Sequence, residues 1–416
     1  VDYLAGLLIA RHGQNPRARK CLLFASLATN LVILGYFKYA NFFADTIAAM
    51  MGASNATPYL TVLMPPGISF YTFQSMSYTI DVYRREITPT RSFAKFFLYV
   101  CSFPQLVAGP IERAGHLLPQ FDVALRQRCS WDNFVIGSRG IIWGLAKKIL
   151  VADYCGVLVD HYYRNPDAFD GSAALVATYA FTLQIYFDFS AYSDIARGSA
   201  RLFGIDIMKN FDQPLIATSI LDYWRRWHIS LYIWFRDYLY IPLGGNKAGR
   251  TRLLINVALI AALSGLWHGA AWRYVLWGLY HGAWMIGTVA ILQSRWYPVL
   301  ANRLGRSRAL AGWFLQFHIC IAGFVIFCSS SVPASLRTYR AIGAALAKGL
   351  PLSMPQLLFL LGMCGFLVCS AVERNFQIRA WIDQRPGYAA AVYGMLIAAM
   401  ALYGNMNEEP FFYFQF

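Results

Sequence analysis

Two stretches of the sequence place imidazoles in apolar surroundings. In LSGLWHGAAWRYVLWGLYHG, residues 263–282, His268 and His281 stand among tryptophans, tyrosines and glycines beside Arg273. In SILDYWRRWHISLYIWFRDYLYIPLGGN, residues 219–246, winding at about 100° per residue sets His228 on one face with Leu221, Trp224, Leu231 and Phe235. Asp222, Arg226, Ser230 and Asp237 gather opposite, with Arg225 and Arg236 between them, and Asp222 to Arg226 has the favourable i,i+4 order. The expectation is one amphipathic helix in which His228 points away from the charges. Two readings stay open for such histidines: hydrogen-bonded structural side chains, or proton acceptors near neutral pH. His281 shares an i,i+4,i+7 face with Trp277 and Trp284 and reads as packing. His268 lies between Gly265 and Gly269, which let another backbone or a ligand come close, and is the better candidate for chemistry.

The sequence shows no HExxH, GxSxG, P-loop or dinucleotide fingerprint. His228 and His268 are far apart in the chain with no neighbouring cysteine or carboxylate motif, so no metal site is expected. A histidine without a protein nucleophile suits a general base acting on a hydroxyl or thiol that the substrates themselves carry. A third polar cluster, QIYFDFSAYSDIARG, puts Asp188 and Asp194 in or beside an apolar segment. Carboxylates there must pair with Arg or line a polar cavity, so structural pairing and substrate positioning both stand. Arg197 is too close in sequence to face Asp194 well, which points to a partner from another segment.

The elements that position these residues belong to a membrane. Of 416 residues, 57% are hydrophobic and 14% charged, against about 25% charged in a soluble domain. Apolar runs near the length of a bilayer span recur at about 21–37, 60–82, 93–110, 134–160, 172–192, 214–242, 253–268, 272–292, 310–330, 353–371 and 387–404. The chain therefore reads as one all-α, polytopic membrane domain over residues 1–416, with roughly ten or eleven membrane helices. Its opening, VDYLAGLLIA, resembles the end of an apolar segment, and upstream membrane segments are expected. The net charge of +15 sits in short clusters between apolar runs, at 11–20, 84–95, 247–252, 303–308 and 374–385. That is the pattern of cytoplasmic loops, not of one basic nucleic-acid-binding face. With the loops at 246–252 and 303–308 cytoplasmic, His268 falls deep in the hydrocarbon layer or near its far side. The eight cysteines form no CxxC pair and lie mostly in apolar runs, as buried thiols would. Prolines 65, 66, 104 and 110 interrupt two apolar stretches, which suggests re-entrant or broken elements and a funnel rather than a plain bundle.

The two histidine blocks resemble the signature blocks of the membrane-bound O-acyltransferase (MBOAT) family, in its bacterial alginate O-acetyltransferase branch. The resemblance continues through LGYFKYANFF, PPGISFYTFQSMSYTIDVYR, FPQLVAGPI, QIYFDFSAYSDIARG and PFFYFQF. It implies the MBOAT fold, with re-entrant or interfacial helices around a central funnel that converges on a histidine pair. The WHG histidine of the family maps onto His268, its signature catalytic residue, and the RRWH histidine onto His228. The implied reaction takes an acyl group from a cytoplasmic thioester, acetyl-CoA or a carrier protein, with no bound cofactor, and passes it outward. The resemblance implies membrane lipid surroundings, a periplasmic hydrolase-like acetyltransferase partner and a polysaccharide-biosynthesis complex at the bacterial inner membrane. On this reading His268 accepts the acceptor's proton and His228 orients it or polarises the carbonyl. Trp224, Trp267 and the glycines shape a narrow passage, and Asp188, Asp194 and Arg225 are substrate-binding candidates. A proton-coupled secondary transporter and a non-catalytic scaffold of a polysaccharide-modifying complex are the rival readings.

Overall fold

The computed structural model describes residues 1–52, 64–126, 130–247, 249–404 and 411. Cys129, residues 60–63 of the expected 60–82 segment, and the closing motif at 410–416 apart from Phe411 lie outside the described residues. The first helices are α1 (Asp2–Arg11), α2 (Pro16–Leu34), α3 (Ala40–Met50), α4 (Ile68–Arg84), α5 (Phe93–Cys101), α6 (Ala114–Ala124), α7 (Trp131–Lys147), α8 (Asp153–Tyr163) and α9 (Gly171–Leu202). Next come the short α10 (Ile220–Trp224) and α11 (Ile229–Phe235), followed by α12 (Arg250–His268), α13 (Trp272–Leu292), α14 (Tyr297–Leu304) and α15 (Arg308–Cys328). The chain then runs through α16 (Val332–Ala347), α17 (Met354–Phe376), α18 (Ile378–Asp383) and α19 (Pro386–Tyr403). No strand occurs among the described residues.

Local signals account for many boundaries. Asn15 caps α2 by accepting from the Ala18 N–H at 3.0 Å, and Pro16 occupies the first turn, where no amide donor is needed. Ser353 and Gln356 form a capping box at the start of α17. Among the described residues, six stretches are long and apolar enough to cross a membrane: Pro16–Met50, Thr251–His268, Trp272–Leu292, Tyr297–Cys328, Met354–Phe376 and Pro386–Tyr403. They coincide with six of the expected segments. Two of them, Met354–Phe376 and Pro386–Tyr403, are only 17% and 11% buried within the protein. Leu357, Leu358, Leu361 and Val368 on α17 point outward, as side chains meant for lipid do.

Of the other expected segments, 172–192 lies within α9 and 134–160 runs helically through α7, a π-helical turn and α8, while two are broken. The run at 93–110 is helical only to Cys101, after which turns and extended backbone carry the chain to α6. This irregular stretch is buried through Gln105, Ala108, Ile111 and Glu112. Tyr99 donates to the Glu112 carbonyl at 3.0 Å and Gln105 to the Tyr99 carbonyl at 3.0 Å, supplying partners that a helix would have provided. The run at 214–242 is broken into α10 and α11. The cysteines also depart from expectation: of the seven described, only Cys155 and Cys320 are buried, and Cys21, Cys364 and Cys369 are exposed. An apolar helix can turn a thiol toward lipid and needs no protein burial to keep it from water.

Two compact units are distinguishable. The first comprises Val1–Ile141, Ser193–Lys209 and Arg236–Tyr238, and the second Ile142–Tyr192, Asn210–Phe235 and Leu239–Phe416. In the first, α1, α2 and α4 meet around polar contacts: Ser26 donates to Asp2 at 2.6 Å and Asn30 to the same carboxylate at 2.7 Å. In the second, α12 and α13 form the most intimate pair. A Cβ on Gly265 would lie 2.0 Å from the Tyr274 carbonyl oxygen, and one on Gly278 2.0 Å from that of Ala261. Only hydrogen at these positions lets the two backbones approach so closely.

Candidate active site

His228, His268, His281, Trp224, Trp267, Asp188 and Arg225 all lie in the second unit. Ser219 caps α10 by accepting from the Asp222 N–H at 3.1 Å, and Arg226 donates to Asp222 at 2.7 Å. The helix expected to continue past Trp224 stops there. His228 instead adopts φ +45°, the left-handed region, which costs a non-glycine residue about 1–2 kcal/mol. Such a conformation persists only when its surroundings enforce it. Here the Asp212 N–H donates to the Arg226 carbonyl and the Ile229 N–H to the Asn210 carbonyl, both at 2.9 Å. The Asn210 side-chain oxygen accepts from the Ser230 N–H at 3.2 Å and from its hydroxyl at 2.8 Å. His228 is thus fixed by a kink, not by the apolar face of a continuous helix, which corrects the sequence expectation.

The kink directs the His228 ring into an aromatic enclosure. Its centroid is 4.8 Å from that of Phe189, 5.7 Å from Trp267 and 6.4 Å from His268, each edge to face. His268 ends α12 and packs edge-on against Trp277 at 5.2 Å and Phe327 at 5.7 Å, with Trp267 at 5.1 Å. The two imidazoles are 1% and 5% exposed, so water has little access to either. Their separation is too great for a direct ring-to-ring hydrogen bond, but both can address one small polar group lying between them.

His281 packs against Trp277 at 4.9 Å, as its sequence stripe implied, and against Trp224 at 5.2 Å. Trp284 is instead paired with Tyr280. Trp277 therefore touches both His268 and His281, and Trp224 belongs to the His281 side of it. Trp267 alone of the two tryptophan candidates contacts both histidines of the pair. The glycines flanking His268 do not line a passage. Gly265 receives the α13 backbone, and a Cβ on Gly269 would fall 2.1 Å from the Tyr274 ring.

Asp188 is 2% exposed and pairs with Lys148 at 3.1 Å, which also holds Asp153 at 2.6 Å. Lys148 opens a π-helical turn, Lys148–Ala152, between α7 and α8. Where an arginine was expected for these carboxylates, the partner of Asp188 is a lysine 40 positions upstream. The next residue along α9, Phe189, packs against His228. Asp194 is half-buried in the first unit, and Arg197 pairs with Asp206 at 3.8 Å. Arg225 is exposed on the turn after α10. Phe189, Phe327 and Asn210 were not singled out in the sequence. An Asn-Phe-Asp-Gln-Pro turn ahead of a capped helix was the one signal for Asn210, and nothing local marked the phenylalanines. Among the described residues no group of three or more His, Cys, Asp or Glu is placed to hold a metal ion.

The family model for MBOAT, membrane-bound O-acyltransferase, matches residues 21–332, a span that contains both histidines and their aromatic enclosure. The chain belongs to this family. It is 40% identical over 344 residues to a Pseudomonas syringae pv. tomato protein named "Probable alginate O-acetylase AlgI", covering 82% of this chain and 64% of that one. It is 30% identical over 367 residues to the peptidoglycan O-acetyltransferase of Helicobacter pylori, covering 82% of this chain and 68% of that one. The teichoic acid D-alanyltransferase of Bacillus subtilis is 27% identical over 275 residues, covering 63% and 68% of the two chains. The chain spans just under two thirds of the length of the Pseudomonas syringae relative. As an all-α member with six apolar spans among its described residues, this MBOAT chain is a multi-pass protein of the bacterial inner membrane.

Proposed function

We propose that this chain is the membrane subunit of an O-acetyltransferase. It takes an acetyl group from a cytoplasmic thioester, acetyl-CoA or an acylated carrier protein, and passes it across the membrane for O-acetylation of an exopolysaccharide such as alginate. The observation that carries this reading is the His228–His268 pair, two imidazoles in edge-to-face contact inside an aromatic enclosure with little access for water. The relatives named for alginate and peptidoglycan O-acetylation support the acyl class and a glycan acceptor.

The transfer needs a deprotonated oxygen, a stabilised oxyanion and exclusion of hydrolytic water. His268 takes the proton of the acceptor hydroxyl as its oxygen attacks the thioester carbonyl, forming the C–O bond. His228 donates to the developing oxyanion. On collapse the C–S bond breaks, and the leaving thiolate recovers a proton from the His268 imidazolium. Trp267, Trp277, Phe189 and Phe327 keep the site dry. Ten or eleven membrane helices form the funnel that leads donor and acceptor to this point. A periplasmic hydrolase-like acetyltransferase, working within a polysaccharide-biosynthesis complex, receives the group and completes the transfer.

The test is thioester cleavage and acetyl transfer from acetyl-CoA by purified protein in liposomes, with His268→Ala and His228→Ala compared. Loss of about 10²–10⁴ in rate for His268→Ala is expected for removal of a general base. Both folded variants working at the native rate would refute the acyl-transfer assignment and return the histidines to a packing role.

A further inference from the structure

We propose that Asn210 is a positioning residue that holds the His228 imidazole in its reactive place by enforcing the kink between α10 and α11. This rests on the acyl-transfer reading of the histidine pair. His228 stands in the left-handed region at φ +45°, which is unfavourable for a non-glycine residue. Two backbone bonds bracket it, from Asp212 N–H to the Arg226 carbonyl and from Ile229 N–H to the Asn210 carbonyl. Both come from one short stretch, 210–212, so the kink is clamped from a single side. The Asn210 side chain completes the clamp by accepting from Ser230 N–H and Ser230 Oγ. These are donors at the first turn of α11, which has no intrahelical partner for them.

The amide orientation follows from chemistry. Ser230 N–H can only donate, so the Asn210 oxygen faces it, and Nδ2 is left buried with no hydrogen-bond partner among the described residues. Asn210 is 1% exposed. A buried donor without a partner is unfavourable, so Asn210 is held here for what its oxygen and its main chain do at residues 229 and 230. Phe211 extends the same control: it packs against Phe189 at 4.9 Å and Trp227 at 5.1 Å, and Phe189 is the ring that touches His228.

The experiment measures kcat and KM for acetyl-CoA cleavage by Asn210→Ala, Asn210→Asp, Ser230→Ala and His228→Ala in purified, liposome-reconstituted protein, with thermal unfolding as the fold control. Asn210→Ala should lower kcat by about tenfold to a hundredfold, the scale of a small misplacement of a reacting group, with KM changed less than about twofold. Asn210→Asp keeps the acceptor oxygen and should recover most of the loss, while Ser230→Ala, which removes only the hydroxyl bond, should fall between. Native kcat in folded Asn210→Ala overturns the proposal, as does a loss confined to KM. Where Asn210→Ala fails to fold, Asn210→Asp decides: near-native kcat supports the clamp, and a loss as deep as that of His228→Ala overturns it. A fully active His228→Ala would instead refute the acyl-transfer reading itself, whatever the Asn210 variants do.

Discussion

His228, His268 and His281 carry the same ring in one aromatic region, yet their supports differ. His281 is packed edge to face: Trp224, Trp277 and Tyr280 surround it, and a Cβ on Gly323 would sit 2.7 Å from its Nε2. Gly323→Ala should therefore displace the ring and destabilise the protein by about 1–3 kcal/mol, read as a lowered melting temperature. An unchanged melting temperature would show that the His281 pocket yields freely. A fourth histidine lends itself to a pH measurement. The hydrogen bond from His116 Nδ1 to the fully buried Glu112 carboxylate, at 2.9 Å, raises the His116 pKa, partly opposed by burial. A raised folded-state value means that this contribution to stability is complete below the unfolded value, about 6.5, and is lost as pH rises through the folded one. Native protein should lose melting temperature across that window relative to His116→Asn, and parallel pH curves for the two would contradict it. His228 and His268 stood out in the sequence because imidazoles in apolar runs are costly, and the structure brings the two rings together. The left-handed backbone at His228 was not, since it is imposed by Asn210 and Asp212 from outside the helix pattern.

The helices show where periodicity is a sufficient guide and where it fails. The spans ending in His268 and starting at Trp272 were visible as apolar runs, and the structure closes them into a hairpin through Gly265 and Gly278. Whether those glycines admitted a backbone or a ligand could not be read from their spacing, because both need the same missing side chain. Gly265→Ala puts a Cβ against the Tyr274 carbonyl, so α12 and α13 must part and carry His268 with them. The expected result is a loss of about 1–3 kcal/mol in stability together with reduced acetyl transfer. Retention of both would mean that the hairpin adjusts without moving His268. The stretch at 219–246 fits a helical wheel well, and only the first-turn contacts of α11 reveal that it is two helices. Asp188 teaches the same lesson: its need for a partner or a polar cavity was evident, but the partner is Lys148, brought from a different turn of chain, and not the arginine expected.

Low charge and recurrent apolar runs already identify a polytopic membrane chain, and the exposed apolar surfaces of α17 and α19 agree with it. The same physics explains the misjudged cysteines, because exposure on a membrane helix means lipid and not water. Cys364 and Cys369 lie exposed within Met354–Phe376. In intact membranes they should resist a charged, water-soluble maleimide and react once the protein is unfolded in detergent. Labelling at the rate of a free aqueous thiol would contradict the assignment of α17 as a span. Hydropathy separated the lipid-facing spans from the rest less well where helices are enclosed by protein. α4 and α9 bury serines, threonines and aspartates beside their apolar residues, so their roles emerge only from packing.

The most direct test of the central claim is the rate of acetyl transfer from acetyl-CoA when His268 is replaced by Ala and by Gln in protein of native melting behaviour. The account predicts that both replacements lose about 10²–10⁴ in rate while donor binding is retained, because neither side chain can carry the proton. A folded His268→Gln protein that transfers acetyl groups at the native rate would contradict it.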